Sequence, residues 1–127
     1  MKEKSRDAKT VFIIDDEKDL LELFQYNLRQ EHRKIIGFTS GRAALKAVTE
    51  ESVALILLDD RLSDISCSEI CDFLKNHPSA HSPPLLIMTT DQDAQRIASI
   101  CNADGYVSKP FSFKEVMAQI QPLLRPR

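Results

Sequence analysis

Three features are scarce in this chain: cysteine, long apolar runs and an excess of charge of either sign. Its cysteines number three. An odd count in a chain of this length argues against a disulfide framework and fits a reducing compartment. The longest apolar run, Val53 to Leu58, is far shorter than the roughly 20 residues of a membrane helix. The run VFII before Asp15 is too short for a signal-peptide core. No membrane span and a cytoplasmic location are therefore expected. Seventeen basic against nineteen acidic side chains leave a formal charge of -2, so no field favours nucleic acid or anionic membrane. Only one helix is expected after Lys109, with no recognition helix or basic face, which argues against direct DNA contact. Arg125 and Arg127 read as a solvated tail.

Internal repeats, low-complexity tracts and interdomain linkers are also missing. The 127 residues suit a single domain, and 43% hydrophobic residues suffice to build its core. A polar tail over 1–10, a domain over 11–124 and a short tail over 125–127 are expected.

What is present is a fivefold alternation. VFII is too short for a helix and rich in β-formers, so it reads as a strand. Leu20, Leu21, Phe24 and Leu28 then recur at helical spacing between about Lys18 and Glu31. A second strand covers 34–38. Ser40 can cap the next helix, with Ala44, Leu45 and Val48 inward. Val53 to Leu58 has the continuous apolar character of a central parallel strand covered on both faces.

Cys67, Ile70, Cys71 and Leu74 form one helical stripe, read as core packing. A metal site would need further Cys or His ligands, and His32, His77 and His81 stand in polar, loop-like context with no Cys-x-x-Cys pair. Leu85 to Met88 gives a fourth strand. Ala94, Ile97, Ala98 and Cys101 give the inner face of a fourth helix, and Tyr106 to Ser108 a fifth strand. Ser112 and Glu115 form a capping box before a last helix that buries Val116, Ile120, Leu123 and Leu124. The pattern is an α/β doubly wound five-stranded parallel sheet with five helices, in the flavodoxin-like strand order 2-1-3-4-5.

In such sheets ligands bind where the chain leaves the carboxyl ends of the strands. Here those ends carry Asp15 and Asp16, Asp59, Thr89, and Lys109. At about 5 Å and an effective dielectric of about 20, each like-charge carboxylate pair costs roughly 3 kcal/mol. A hard divalent cation offsets this, and an all-oxygen site with few protein ligands suits Mg²⁺. An aspartate is ordinarily ionised at neutral pH and can attack phosphorus without a general base, so no Ser-His-Asp constellation is needed. Mg²⁺, the Lys109 ammonium and the Thr89 hydroxyl can meet the charge on the transferring phosphoryl group. Asp60 is expected to point to the other side of the chain as a loop or capping carboxylate.

VFIIDDE, LILLDDRLSD, LLIMTT and YVSKPF, in this order and at these separations, resemble the response-regulator receiver domain of two-component signalling. The resemblance spans Val11 to Leu124. It implies Asp59 as phospho-acceptor, Asp16 as a direct Mg²⁺ ligand, Asp15 as its partner largely through water, and the Arg61 backbone carbonyl as a further ligand. It also implies that Lys109 pairs with the phosphoryl group, that Lys109-Pro110 is cis, and that a histidine kinase or phosphotransfer protein donates the phosphate. Phosphorylation adds charge and three acceptor oxygens at Asp59. Thr89 follows them, and the ring of Tyr106 turns into the vacated space. The readout surface is the fourth helix, fifth strand and fifth helix, where the family docks an output domain or protein or forms homodimers. The chain would then be no enzyme beyond catalysing its own phosphorylation and dephosphorylation.

The chain departs from the family pattern at Ser63 and Cys67, where proline and glycine are usual, and between Thr89 and Lys109, which is about two residues shorter than is common. Thr90 stands where a small residue is usual. Arg61 and Asp91 could reach each other across the phosphoryl group, and the three together would tune its hydrolysis rate. Two rival functions belong to other classes. One is a phosphorylation-independent binding module on the same fold. The other is a haloacid-type Mg²⁺ hydrolase, whose two aspartates are separated by one residue, whereas Asp15 and Asp16 are adjacent.

Overall fold

The structure, a computed structural model, describes residues 10–28, 33–90 and 92–124. Five strands alternate with five helices along the chain: β1 (Thr10–Ile14), α1 (Lys18–Leu28), β2 (Lys34–Phe38), α2 (Gly41–Val48), β3 (Val53–Asp59), α3 (Cys67–Asn76), β4 (Leu85–Thr89), α4 (Ala94–Ile100), β5 (Gly105–Ser108) and α5 (Phe113–Leu124). The strands form one parallel sheet in the order β2-β1-β3-β4-β5, as the alternation led us to expect. β1 begins one residue earlier than the apolar run, because Thr10 pairs with Lys34 and Val53 at the open end of the ladder. The expected extension of α1 to Glu31 lies outside the described residues.

Strand pleating divides the core in two. Val11, Ile13, Leu55, Leu57, Leu86, Met88 and Val107 face α1 and α5, where they meet Phe24, Val116 and Ile120. Phe12, Ile14, Ile56, Leu58 and Ile87 face the other way, onto Ala44, Val48, Ile70, Leu74 and Cys101. Leu55 to Leu58 are at most 1% exposed, the burial expected of a middle strand. Fully burying each such side chain contributes on the order of 2 kcal/mol, which holds this strand's end firmly in place.

Capping fixes how the helices leave the rim. The Ala43 and Glu69 amides donate to the Ser40 and Ser66 hydroxyls, and the Glu115 amide to that of Ser112. α2 has a second cap from the loop after β3. Asp64 accepts from the Ser40 hydroxyl at 2.8 Å and from the Gly41 and Arg42 amides at 3.1 Å each. These bonds, that from Arg42 foremost, hold the Asp64 carboxyl below its ordinary pKa. The loop can approach so closely because residue 41 is glycine: a Cβ there would stand 2.3 Å from Ile65 Cγ2. The stretch from Asp59 to Cys67 is thus pinned to α2 despite carrying Ser63.

Candidate functional site

The carboxyl ends of β1 and β3 meet the β5 exit at a cavity of about 230 Å³, lined by Asp15, Asp16, Glu17, Asp59, Asp60, Arg61, Thr90 and Lys109. Lys109 Nζ donates to Asp15 Oδ2 at 2.7 Å and stands 3.3 Å from Asp59 Oδ1 and 3.6 Å from Glu17 Oε1. Asp15 is fully buried and Asp59 nearly so. The Lys109-Pro110 peptide is cis. Asp15 also accepts the Glu17 amide at 2.9 Å, which turns the chain into α1.

Burial, followed by the charge of Asp15, pushes the Asp59 carboxyl up to about 6, against the opposing pull of Lys109. The candidate nucleophile is therefore less acidic than an ordinary aspartate, yet about nine-tenths ionised at neutral pH. Burial acts to lower the Lys109 pKa, but its bond to Asp15 and the charges of Asp59 and Asp15 outweigh that and raise it. The expected crowding of three carboxylates is corrected in one respect. An ammonium already stands between two of them, because parallel pleating sends Asp15, Asp59 and Lys109 to the α1/α5 side, in phase with Ile13, Leu57 and Val107. Asp16 is out of phase with these and is exposed.

The same alternation carries Thr89 to the opposite side, in phase with Ile87. Its fully buried hydroxyl donates to Asp60 Oδ2 at 2.8 Å. Asp60 does point away from Asp59, as its neighbour in sequence must, but it is neither a cap nor a free loop carboxylate. It holds the residue expected to contact the phosphoryl group. Its other oxygen, Oδ1, is buried without a hydrogen-bond partner. The phase of Leu58-Asp60 and Ile87-Thr89 across the paired β3 and β4 was the sequence signal for this contact. Glu17 and Asp60 were both absent from the expected site.

Tyr106, on β5, is 37% exposed. Arg61 and Thr90 are exposed at the cavity mouth. Asp91, the third residue expected to tune the rate, lies outside the described residues.

The residues present fit a hard cation. Asp15, Asp16 and Asp59 offer carboxylate oxygens to one cavity, where Lys109 is the single ammonium set against them and Glu17 adds a further acid. Asp16 and Arg61 are both exposed residues on the same lining.

Residues 11–121 match the response regulator receiver domain family, and the chain belongs to it. Among curated relatives, it is 32% identical over 118 residues to the alkaline phosphatase synthesis transcriptional regulatory protein PhoP of Bacillus subtilis, covering 92% of this chain and 49% of that protein. It is 31% identical over 117 residues to the phosphate regulon transcriptional regulatory protein PhoB of Rhizobium meliloti, covering 91% and 52%. The chain thus spans about half the length of these relatives. Among solved structures, the response regulator TrrA of Thermotoga maritima, determined in complex with Mg²⁺-BeF, superposes with a TM-score of 0.80 at 27% identity, covering 91% of this chain and 99% of that one. Among the described residues, no helix is long and apolar enough to cross a membrane.

Proposed function

We propose that this chain is a phosphorylation-gated switch, in which Asp59 accepts a phosphoryl group from a histidine kinase or phosphotransfer protein. One Asp59 oxygen forms the new P–O bond as the bond from phosphorus to the donor's imidazole nitrogen breaks. Mg²⁺, held by Asp15, Asp16, Asp59 and the Arg61 carbonyl, would neutralise charge on the phosphoryl oxygens. Lys109 moves its ammonium from the two carboxylates onto a phosphoryl oxygen, a short shift because it already touches Asp59. Thr89 exchanges its bond to Asp60 for one to the phosphoryl group, and Tyr106 follows inward. The surface of α4, β5 and α5 then presents a different face to an output domain or protein, or to a second copy of the chain.

The observation that carries this reading is the Asp15–Lys109–Asp59 bridge, with contacts of 2.7 and 3.3 Å at the cavity. A base and nucleophile pair is not required, since the acceptor is ionised at neutral pH. Catalysis would be limited to the chain's own phosphorylation and dephosphorylation. Incubation with acetyl phosphate and Mg²⁺, followed by intact mass, should give a single phosphate adduct. The adduct should be lost in Asp59→Asn and when the cation is chelated. An unmodified wild-type chain would instead favour phosphorylation-independent docking.

A further inference from the structure

Cys67 opens α3, Cys71 follows one helical turn later, and Cys101 caps the C-terminal end of α4. Residues four apart on a helix share a face, and packing brings the end of α4 against that face. The Cys67 and Cys101 sulfurs are 2.8 Å apart, and the sulfurs of all three residues lie within 4.8 Å of one another. All three are free thiols, two of them buried. Among the described residues, no His, Asp, Glu or further Cys completes a fourth position in this group.

We propose that Cys67, Cys71 and Cys101 form a three-sulfur site for one soft monovalent cation, copper(I). Thiolates select soft ions, and copper(I) is satisfied by three of them, whereas structural zinc ordinarily takes four ligands. A metal–sulfur bond of about 2.3 Å places the sulfurs of a trigonal site roughly 4 Å apart, inside the observed span. The Cys67–Cys101 pair must open by about 1 Å to reach that spacing. Cys67 has the freedom to do so, being only half-buried and bordering a cavity of about 240 Å³ shared with Ser66, Ile97 and Cys101.

A second cavity, of about 400 Å³, borders Cys71 and Cys101 and includes Lys75. Ions therefore have a path to the sulfurs, and the exposed Lys75 ammonium beside that cavity is available to balance excess thiolate charge. The thiols already interact: their mutual contacts favour the Cys101 thiolate and push the Cys67 and Cys71 thiols up. Copper(I) binding replaces those S–H contacts with metal–sulfur bonds. The displaced protons go to solvent, and no electron is transferred. The bound ion would join α3 to the helix that leads into β5.

The test uses the full 127-residue chain, reduced and anaerobic, competing for copper(I) against a chromophoric copper(I) chelator. Expected are one copper per chain, at least tenfold weaker uptake in each of Cys67→Ser, Cys71→Ser and Cys101→Ser, and three sulfur neighbours at the copper absorption edge. The absorption measurement needs only the wild type, so a variant that fails to fold leaves the proposal testable. Uptake unchanged in Cys71→Ser, two sulfur neighbours, tighter zinc than copper, or a Cys67–Cys101 disulfide as the sole product would each overturn it.

Discussion

Thr89 donates its hydroxyl to Asp60 Oδ2 at 2.8 Å, so the residue that should sense a phosphoryl group on Asp59 is held by the neighbouring carboxylate instead. Both residues lie on the α3/α4 side of the sheet, and Asp60 Oδ1 has no partner there. The contact is a latch with one unsatisfied end. A hydrogen bond to a charged group is worth about 1.5–3 kcal/mol, so its loss is a sizeable resistance to switching.

Removing the latch should therefore favour the phosphorylated state. We expect Asp60→Ala to reach half-maximal phosphorylation at roughly three- to tenfold lower acetyl phosphate, a change of about 1 kcal/mol. Thr89→Val removes the same latch but also the hydroxyl proposed to meet the phosphoryl group, so it should show no such gain, and it should destabilise the unmodified protein by about 1–3 kcal/mol by leaving Asp60 without its donor. Intact mass across a phosphodonor titration, with urea unfolding alongside, reads both effects. An Asp60→Ala curve identical to wild type would show that the bond does not resist the switch.

Lys109 stands in for a cation, which yields a prediction with a built-in rescue. Lys109→Met leaves the fully buried Asp15 carboxylate without its closest partner, beside a second acid. Breaking a buried pair by removing one member costs about 3–5 kcal/mol, and Lys109 is 13% exposed, so roughly 2–4 is expected here. Millimolar Mg²⁺ should restore more stability to the variant than it adds to the wild type, since ligand binding to the folded state stabilises it by mass action. Thermal unfolding with and without the cation measures this. Equal gains in the two proteins would mean that lysine and metal do not compensate the same charges.

Much of this site could be read from residue order. Apolar runs ending in Asp15, Asp59, Thr89 and Lys109 located the rim, because parallel strands deliver their carboxyl ends to one edge. Ser40 and Ser112 marked helix starts through local side-chain chemistry. What escaped depends on contacts between distant elements. Asp64 caps α2 from 24 residues away in sequence, and Cys101 meets Cys67 across 34. No period within one helix reports which face of another will cover it. The Asp60–Thr89 pair lies between these cases, since strand phase encodes it, but only once the register of β3 against β4 is known.

The acceptor's protonation sets the pH dependence. The Asp59 carboxyl, raised mainly by burial to about 6 in the folded protein, has an ordinary value near 4 when unfolded. Between these limits the folded state binds more protons than the unfolded one, so stability falls as pH rises through the window. The penalty is absent below about pH 4 and complete above about pH 6. Asp59→Asn should thus stabilise the metal-free protein by roughly 1–3 kcal/mol near pH 7.5 and by little near pH 4. Urea unfolding at the two values checks the sign, and an equal effect at both would mean that another group governs the window.

Arg61 and Thr90 bear on how long a phosphoryl group survives. Hydrolysis requires water to approach phosphorus in line with the Asp59 oxygen, and both exposed side chains line the cavity that holds Asp59 and Lys109. A β-branched threonine and a long guanidinium occupy volume there that alanine would leave to water. The Thr90→Ala, Arg61→Ala double variant should therefore lose phosphate faster than wild type, by about tenfold if the obstruction raises the barrier by about 1.4 kcal/mol. Neither side chain is part of the Asp15–Lys109–Asp59 bridge, so the extent of initial phosphorylation should change little. That separates shielding from damage to the acceptor. Loss of the adduct is followed by intact mass after the phosphodonor is removed, and equal decay rates would rule out shielding by these two residues.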